Sequence, residues 1–195
     1  MIVAYYSLTG YTRSLAEATV RALCEARAES GQPVAKGEPA GSPAAPADSM
    51  NVGSGLATAE LLEIVPARAY SYFSAGVKGV TQAMAGTIVD LTSPLPEADT
   101  FDGLVVLSPT WGWMSSPPVR SFVAGLPDGE GRPAVVGVTH AGGPIGSFDR
   151  LGELVEERGY EVRERLSVFC YDRAAIAAAA GRAAAALCPD TASGD

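Results

Sequence analysis

Three hydroxyl side chains and a glycine follow one another closely near the start of the chain. Ser7, Thr9 and Thr12 fall within six positions, and Gly10 separates the second from the third. Hydroxyl groups and free backbone N–H groups are uncharged donors that suit a phosphate monoester. The stretch has neither the lysine-bearing nucleotide loop nor the Gly-x-Gly-x-x-Gly dinucleotide pattern. We interpret it as a phosphate-binding loop; the alternative is an ordinary turn in which Thr12 caps a helix.

The segments on either side of this loop predict the elements that hold it. Residues 1–6 are apolar or β-favouring, which is typical of a strand buried on both faces. A helical apolar stripe begins directly after the loop and includes Leu15, Thr19 and Leu23. A helix in this position directs its free N–H groups and the positive end of its dipole toward an anion. The candidate phosphate donors are Ser7, Thr9, Gly10, Tyr11 and Thr12.

Two further predicted strands end in loops of unusual composition. The strand over residues 101–107 is followed by Ser-Pro-Thr-Trp-Gly-Trp, which begins at Ser108. The strand over residues 133–139 is followed by His140, the only histidine, and by a loop rich in glycine. In a parallel sheet, ligands bind beyond the carboxyl ends of the strands. We therefore expect these two loops to share one edge with the phosphate-binding loop.

The rest of the pattern predicts an α/β fold. Further strands are expected over residues 60–65 and 160–169. Helices are expected over residues 119–125, over residues 147–158 with Ser147 as the cap, and over residues 173–187. Strands that alternate with helices are typical of parallel βαβ units with right-handed crossovers.

Three segments fall outside this pattern. Residues 29–55 are rich in Ala, Pro, Gly and Ser, which predicts a mobile inserted loop. Residues 66–87 form a second insertion, in which Tyr70, Tyr72 and Phe73 lie close together. Such an aromatic cluster indicates local core or, alternatively, a wall or lid over a site. The tail, residues 189–195, is expected to fray.

Composition limits the class of protein. The chain has 195 residues, 47% of them hydrophobic, which predicts a single globular domain over residues 1–188. No stretch approaches the roughly 20 consecutive apolar residues of a membrane span. The formal net charge of −8 disfavours nucleic acid and anionic membranes as partners and suits a basic protein partner.

The cysteines and the first residues predict a cytoplasmic location. Cys24, Cys170 and Cys188 are odd in number, widely spaced and outside any Cys-x-x-Cys motif. This usage favours a reducing compartment and argues against a metal held by cysteine. The chain enters its first predicted strand without the basic and apolar leader of a secretory signal.

At its three candidate loops the sequence resembles the flavodoxin family of FMN proteins. Ser7-x-Thr9-Gly10-x-Thr12 is similar to the FMN-phosphate loop of that family, and Ser-Pro-Thr-Trp-Gly from Ser108 is similar to the loop that contacts the isoalloxazine ring. Residues 117–122 and 136–139 are similar to the following helix start and to the strand before the third loop. The resemblance covers residues 1–28 and 60–187. It implies a flavodoxin-like, doubly wound, five-stranded parallel sheet of order 2-1-3-4-5, with helices on both faces.

The resemblance also implies which residues contact FMN. Trp111 is expected to stack on one face of the ring, and Gly112 to allow the peptide reorientation that accompanies reduction in the family. Trp113 is open to three interpretations: ring contact, partner surface or simple packing. The implied contacts are Ser7, Thr9, Gly10, Tyr11, Thr12, Pro109, Thr110, Trp111, Gly112, Trp113, His140, Ala141, Gly142 and Gly143, and no metal is expected.

The third loop departs from the family. Many flavodoxins cover the second face of the flavin with an aromatic residue, whereas residues 140–146 contain no Tyr, Trp or Phe. That face is then open to a substrate ring, unless Tyr70, Tyr72 or Phe73 covers it. His140 is the candidate catalytic residue near the pyrimidine edge of the flavin; the alternative is an ordinary surface or core histidine.

Three functions fit these features. The leading hypothesis is a redox protein that transfers electrons through bound FMN to or from a basic partner protein. The alternative is an FMN-dependent oxidoreductase that takes hydride from NAD(P)H and passes it to a quinone or a similar acceptor, which requires an exposed flavin face. The third is a module without redox activity that binds another phosphate ligand. The oligomeric state is left open.

Overall fold

The computed structural model describes residues 1–29 and 59–188. The predicted loop of residues 29–55, apart from Glu29, and the predicted tail of residues 189–195 lie outside them. The strands are β1 (Ile2–Tyr5), β2 (Glu60–Glu63), β3 (Leu104–Trp111), β4 (Met114–Ser115), β5 (Pro133–His140) and β6 (Glu161–Phe169). The parallel strands follow the order β2-β1-β3-β5-β6, and the short β4 pairs antiparallel with β3. This arrangement confirms the predicted order 2-1-3-4-5, since β5 and β6 are the predicted fourth and fifth strands.

Helices cover both faces of the sheet, as predicted. They are α1 (Tyr11–Glu29), α2 (Tyr72–Ser74), α3 (Val80–Met84), α4 (Pro117–Gly125), α5 (Ser147–Glu156) and α6 (Arg173–Leu187), and a π-helical segment, Ala75–Gly79, joins α2 to α3. On one face, α1 and α6 pack through buried residues such as Leu15 and Leu187. On the other face, α4 and α5 pack through Phe122 and Leu151. None of the described helices has the length and apolar character needed to cross a membrane.

β1 occupies the centre of the sheet and positions the first candidate loop. Its residue Ile2 lies opposite Glu60 of β2 on one side and opposite Leu104 of β3 on the other. All four residues of β1 are buried, because strands flank both edges and helices cover both faces. The strand therefore confirms the prediction for residues 1–6 and delivers the following loop to the carboxyl edge.

β3 extends beyond its predicted end at residue 107. Ser108 and Pro109 remain in the sheet because they pair with the end of β5. Thr110 and Trp111 then pair with β4 in a hairpin. The Pro, Gly and Ser content of this stretch predicted a loop. Strand pairing with β5 outweighs the preference of these residues for turns.

The start of α5 corrects one sequence expectation. Ser147 does not cap this helix through its side chain; it is the first helical residue, and Gly146 occupies the cap position. Gly146 has a φ of +72°, a left-handed conformation that glycine adopts without steric penalty. The chain therefore turns at Gly146 and buries the Ser147 hydroxyl completely, 3.4 Å from Oγ1 of Thr110.

Candidate functional site at the carboxyl edge of the sheet

The loops that follow β1, β3, β5 and β6 lie together at the carboxyl edge, which we call the rim. Side chains join these loops across the sheet. Oγ1 of Thr12, at the start of α1, lies 2.8 Å from Oγ1 of Thr139, near the end of β5. Thr110, at the end of β3, faces Ser147 at the start of α5. The structure thus brings together the loops after β1, β3 and β5, which the sequence predicted to share one edge.

The first loop presents donors at the start of α1. Gly10 has a φ of +88°, and its N–H donates to Oγ of Ser7 over 3.1 Å, which closes a tight turn. The helix begins at Tyr11, and the N–H of Ser14 is the first to find an acceptor one turn back, the carbonyl of Gly10. The amides in between have no intrahelical acceptor, and Thr9 is exposed beside them. This geometry fits an anion.

The other long helices that start at the rim are less suited to an anion. The carboxylate of Asp172 already accepts from two amides at the start of α6. α4 begins with Pro117 and Pro118, which have no N–H to donate. α5 carries Asp149 in its first turn, whereas the first turn of α1 contains no acidic residue. Among the described helices, α1 therefore offers the most favourable anion site.

Thr12 has a different role from the one expected for its hydroxyl. The side chain is buried and is hydrogen-bonded to Thr139, so it joins α1 to β5. It lies inside the first turn of α1, which excludes the alternative that Thr12 is the capping residue. Its backbone N–H still belongs to the free amides at the helix start.

Replacing Thr12 with valine should lower the free energy of unfolding by about 1–3 kcal/mol, because the buried Thr139 hydroxyl loses its partner. Urea unfolding followed by circular dichroism measures this difference. Thr9→Val is the matched control, since Thr9 is exposed and should change stability by no more than about 0.5 kcal/mol. Equal stability of the two variants would show that the Thr12–Thr139 contact contributes nothing to the free energy of unfolding.

Trp111 lies in the core, which contradicts the expectation that its ring emerges to stack on a ligand. Its exposed fraction is 8%. The indole meets the rings of Tyr6 and Tyr70 edge to face, at centroid distances of 5.7 and 5.0 Å. Gly79 makes room for it, because a Cβ there would lie 2.6 Å from the indole. Burial, Tyr70 and Glu63 raise the pKa of the Tyr6 hydroxyl to about 12, so this cluster carries no charge near neutral pH.

Trp113 is the exposed indole of the second loop. Gly112 and Trp113 form the two-residue turn between β3 and β4, with φ values of +56° and +64°, as in a type I′ hairpin. Gly112 packs against α3, where a Cβ would lie 2.6 Å from Cγ1 of Val80. The hairpin thereby holds Trp113 at the rim with 56% of its surface exposed, which rules out simple packing as its role.

His140 lies at the end of β5 with one ring nitrogen in use. Its Nε2 is 3.1 Å from Oγ of Ser167 on β6, and its carbonyl accepts from the N–H of Cys170. Its Nδ1 is buried and, within the described part of the chain, has no hydrogen-bond partner. The loop that follows, Ala141, Gly142 and Gly143, is exposed. Among the described residues, an unpaired hydrogen-bonding atom is thus buried at the head of the third loop.

The sequence analysis missed an aromatic group on the β6 side of the rim. Tyr171 meets Tyr11 edge to face at 5.1 Å and Phe169 at 5.5 Å, and Phe169 lies 6.1 Å from the His140 ring. The charges of Cys170 and Tyr11, slight burial and Tyr72 raise the pKa of the Tyr171 hydroxyl. The signal was available, because Phe169 ends the predicted fifth strand at the same edge and Tyr171 follows two residues later.

The aromatic side chains of the insertion lie partly in the core and partly at the surface. Tyr70 packs on Trp111 and donates to Oε1 of Gln82 over 2.8 Å, as expected of local core. Tyr72 and Phe73 are each 81% exposed. The insertion borders the rim, because Val80 packs against Gly112 of the β3–β4 hairpin. Within residues 1–29 and 59–188, no group of His, Cys, Asp and Glu side chains is arranged to hold a metal ion.

Solved structures with this architecture include several flavodoxins. A flavoprotein in complex with FMN from Lactobacillus acidophilus NCFM is 13% identical, with 85% of this chain and 90% of that chain covered and a TM-score of 0.53. A flavodoxin, a WrbA-like protein from Agrobacterium tumefaciens, is 13% identical over 97% of both chains, with a TM-score of 0.55. Oxidised flavodoxin 2 from Bacillus cereus is 16% identical over 95% of both chains, with a TM-score of 0.51. No protein-family model and no curated protein matches the sequence. The chain has the flavodoxin-like fold.

Proposed function

We propose that the protein binds FMN at the rim and acts as a redox protein that transfers electrons through it. The observation that carries this proposal is the start of α1, where free amides and the hydroxyls of Ser7 and Thr9 face the carboxyl edge without a competing acid or proline. A phosphate dianion is the ligand that such a helix start favours. A similar structure that was crystallised with FMN supports the same ligand.

The rim residues fit the parts of FMN. Ser7, Thr9 and the amides of Tyr11 and Thr12 would hold the phosphate, and Gly10, whose N–H donates to Ser7, would shape the turn around it. Backbone groups of Pro109, Thr110 and Gly112 on one side, and of Ala141, Gly142 and Gly143 on the other, would border the ring. The exposed indole of Trp113 replaces Trp111 as the stacking residue, since the Trp111 ring is packed in the core.

Bound FMN would supply reversible one- and two-electron chemistry. The protein contributes position and hydrogen bonds. His140, which is half-buried at the head of the third loop, would lie beside the ring edge. Ser167 holds the other nitrogen and fixes the imidazole plane. The aromatic side chains Phe169 and Tyr171 would limit water on the β6 side of the rim.

Electron transfer with a partner protein is the leading form of this function, because a net charge of −8 suits docking of a basic reductase or acceptor. A second form is hydride transfer from NAD(P)H to a quinone. It is favoured by the exposed rings of Tyr72 and Phe73 and by the absence of an aromatic residue from the exposed loop Ala141–Gly143. A nicotinamide ring needs an open flavin face and an adjacent apolar wall.

One experiment on the purified protein separates these functions. A yellow visible spectrum, present on purification or after FMN is added, supports flavin binding. Rapid bleaching by NADPH or NADH, with turnover when a quinone is added, supports the oxidoreductase. Bleaching only by dithionite, or by a reductase protein, supports the carrier. A colourless protein that FMN does not reconstitute contradicts both the carrier and the oxidoreductase. The phosphate-binding module is then the remaining hypothesis.

His140→Gln should lower the midpoint potential of bound FMN by about 40 mV, because the loss of one hydrogen bond or charge contact to the reduced ring costs about 1 kcal/mol. A redox titration of both proteins at several pH values measures the shift. Arg163→Gln is the control, since Arg163 lies on the exposed edge of β6 and pairs with Glu161. Overlapping midpoints for His140→Gln and the unmodified protein would assign His140 a structural role only.

A further inference from the structure

A second pocket lies between α4 and α5, away from the rim. It has a volume of about 240 Å³ and is lined by Ile88, Arg120, Val123, Ala124, Leu154, Glu157 and Arg158. Most of these residues come from the last turns of α4 and α5 or from just beyond them. Both helices start at the carboxyl edge of the sheet, so these turns point toward the opposite edge. The pocket is therefore separate from the proposed FMN site.

Arg120 is the unusual residue of this pocket. Its Nε and Nη1 are buried, and among the described residues neither atom has a hydrogen-bond partner. Gly86 leaves space for the guanidinium, because a Cβ there would lie 3.1 Å from Nη2 of Arg120. The guanidinium is thus half-buried, and its two buried nitrogen atoms have lost their water without gaining an acceptor from the described part of the chain, which is unfavourable for a charged group. An anion in the pocket would offset this cost through its charge.

Neighbouring positive charges make a bound anion more favourable. Burial, and then the charge of Arg150 on α5, lower the pKa of the Arg120 guanidinium. Arg158 lines the same pocket, donates to the carbonyl of Leu126 and has a buried Nε without a partner among residues 1–29 and 59–188. Glu157 is exposed, and no ion pair joins it to either arginine in the described structure. Arg120 and Arg158 thus line one groove of a chain whose net charge is −8.

The remaining walls of the pocket are apolar. Ile88, Val123, Ala124 and Leu154 surround the arginine pair. A volume of about 240 Å³ is larger than the roughly 150 Å³ cavity that accepts benzene in other proteins. The pocket can therefore hold an acid group together with about one ring or a short chain.

We propose that this pocket binds a small organic anion, whose carboxylate or phosphate pairs with Arg120 and Arg158 and whose apolar body lies against Val123 and Leu154. A guanidinium is suited to such a pair, because it combines a positive charge with several N–H donors. The proposal does not depend on flavin binding, since no rim residue lines the pocket.

Calorimetric titration of the FMN-treated full chain with benzoate tests the proposal. We expect a dissociation constant on the order of 1 mM, as is typical of so small a ligand. Arg120→Met should weaken benzoate binding at least about tenfold, and the variant should fold, because an apolar side chain of similar length replaces an unpaired charge. Ala124→Trp, at the exposed lip of the pocket, should block binding without removing a charge. Arg163→Met removes an arginine outside the pocket and should bind benzoate unchanged.

Three further ligands define the chemistry. Benzyl alcohol should bind at least about tenfold more weakly than benzoate, because it lacks the charge. Tighter binding of phenyl phosphate or of benzoate identifies the preferred acid group. Inorganic phosphate that binds as tightly as both would contradict the organic class. Benzoate that fails to bind, or that binds equally to Arg120→Met, would overturn the proposal.

Discussion

Replacing Ser7 and Thr9 together with alanine should weaken FMN binding by at least about a hundredfold. Each hydroxyl is expected to donate to the phosphate, and a hydrogen bond to a charged group contributes about 1.5–3 kcal/mol. Ser7 accepts from the N–H of Gly10, and this arrangement leaves its own O–H free to donate outward. Riboflavin lacks the phosphate, so its affinity should change little. Flavin fluorescence, which falls on binding, gives both dissociation constants.

The matched control for this pair is Thr100→Ala, which removes an exposed hydroxyl that donates to the carbonyl of Glu97. Its FMN affinity should equal that of the unmodified protein. A double variant that loses riboflavin and FMN affinity equally would indicate a damaged loop. Unchanged FMN affinity in the double variant would show that the phosphate does not bind at the start of α1.

Trp111→Ala should lower the free energy of unfolding by about 3–5 kcal/mol, the usual cost of deleting a large aromatic side chain from a core. The cavity would open between Tyr6, which follows β1, and Tyr70 and Gly79 of the insertion, and these residues would relax only in part. A loss of this size is a large share of the stability of a typical domain. Urea unfolding followed by far-ultraviolet circular dichroism measures it.

Trp113→Ala is the matched control for Trp111→Ala, because it removes the exposed indole of the same hairpin. Its stability should change by no more than about 0.5 kcal/mol. Its FMN affinity should fall by roughly 0.5–1.5 kcal/mol, the size of one aromatic contact. The reverse pattern, with a stable Trp111→Ala and a destabilised Trp113→Ala, would show that the Trp111 ring lies at the rim and not in the core.

The sequence was sufficient to predict the sheet, because its strands carry their signal locally. β1 is an uninterrupted apolar run, and α6 spans residues 173–187 as expected. The turn at Gly10 and the helix start at Tyr11 were equally clear, because a glycine and small polar residues separate an apolar strand from an apolar helical stripe. These features depend on residues that are neighbours in the chain.

The features that could not be predicted depend on distant residues. Trp111 is buried because Tyr70 and Gly79, from the insertion, cover it. The Thr12 hydroxyl is occupied by Thr139, which is 127 positions away. Neither contact leaves a periodic pattern in the sequence, so an exposed role was the simpler interpretation of both residues.

The phosphate of FMN at the start of α1 is the central claim, and it is tested most directly by comparing two ligands on the unmodified protein. Fluorescence titrations with FMN and with riboflavin, under the same buffer conditions and without phosphate, give the two dissociation constants. We expect FMN to bind at least about a hundredfold more tightly, because only FMN offers the dianion to the loop. Equal affinities would contradict the account.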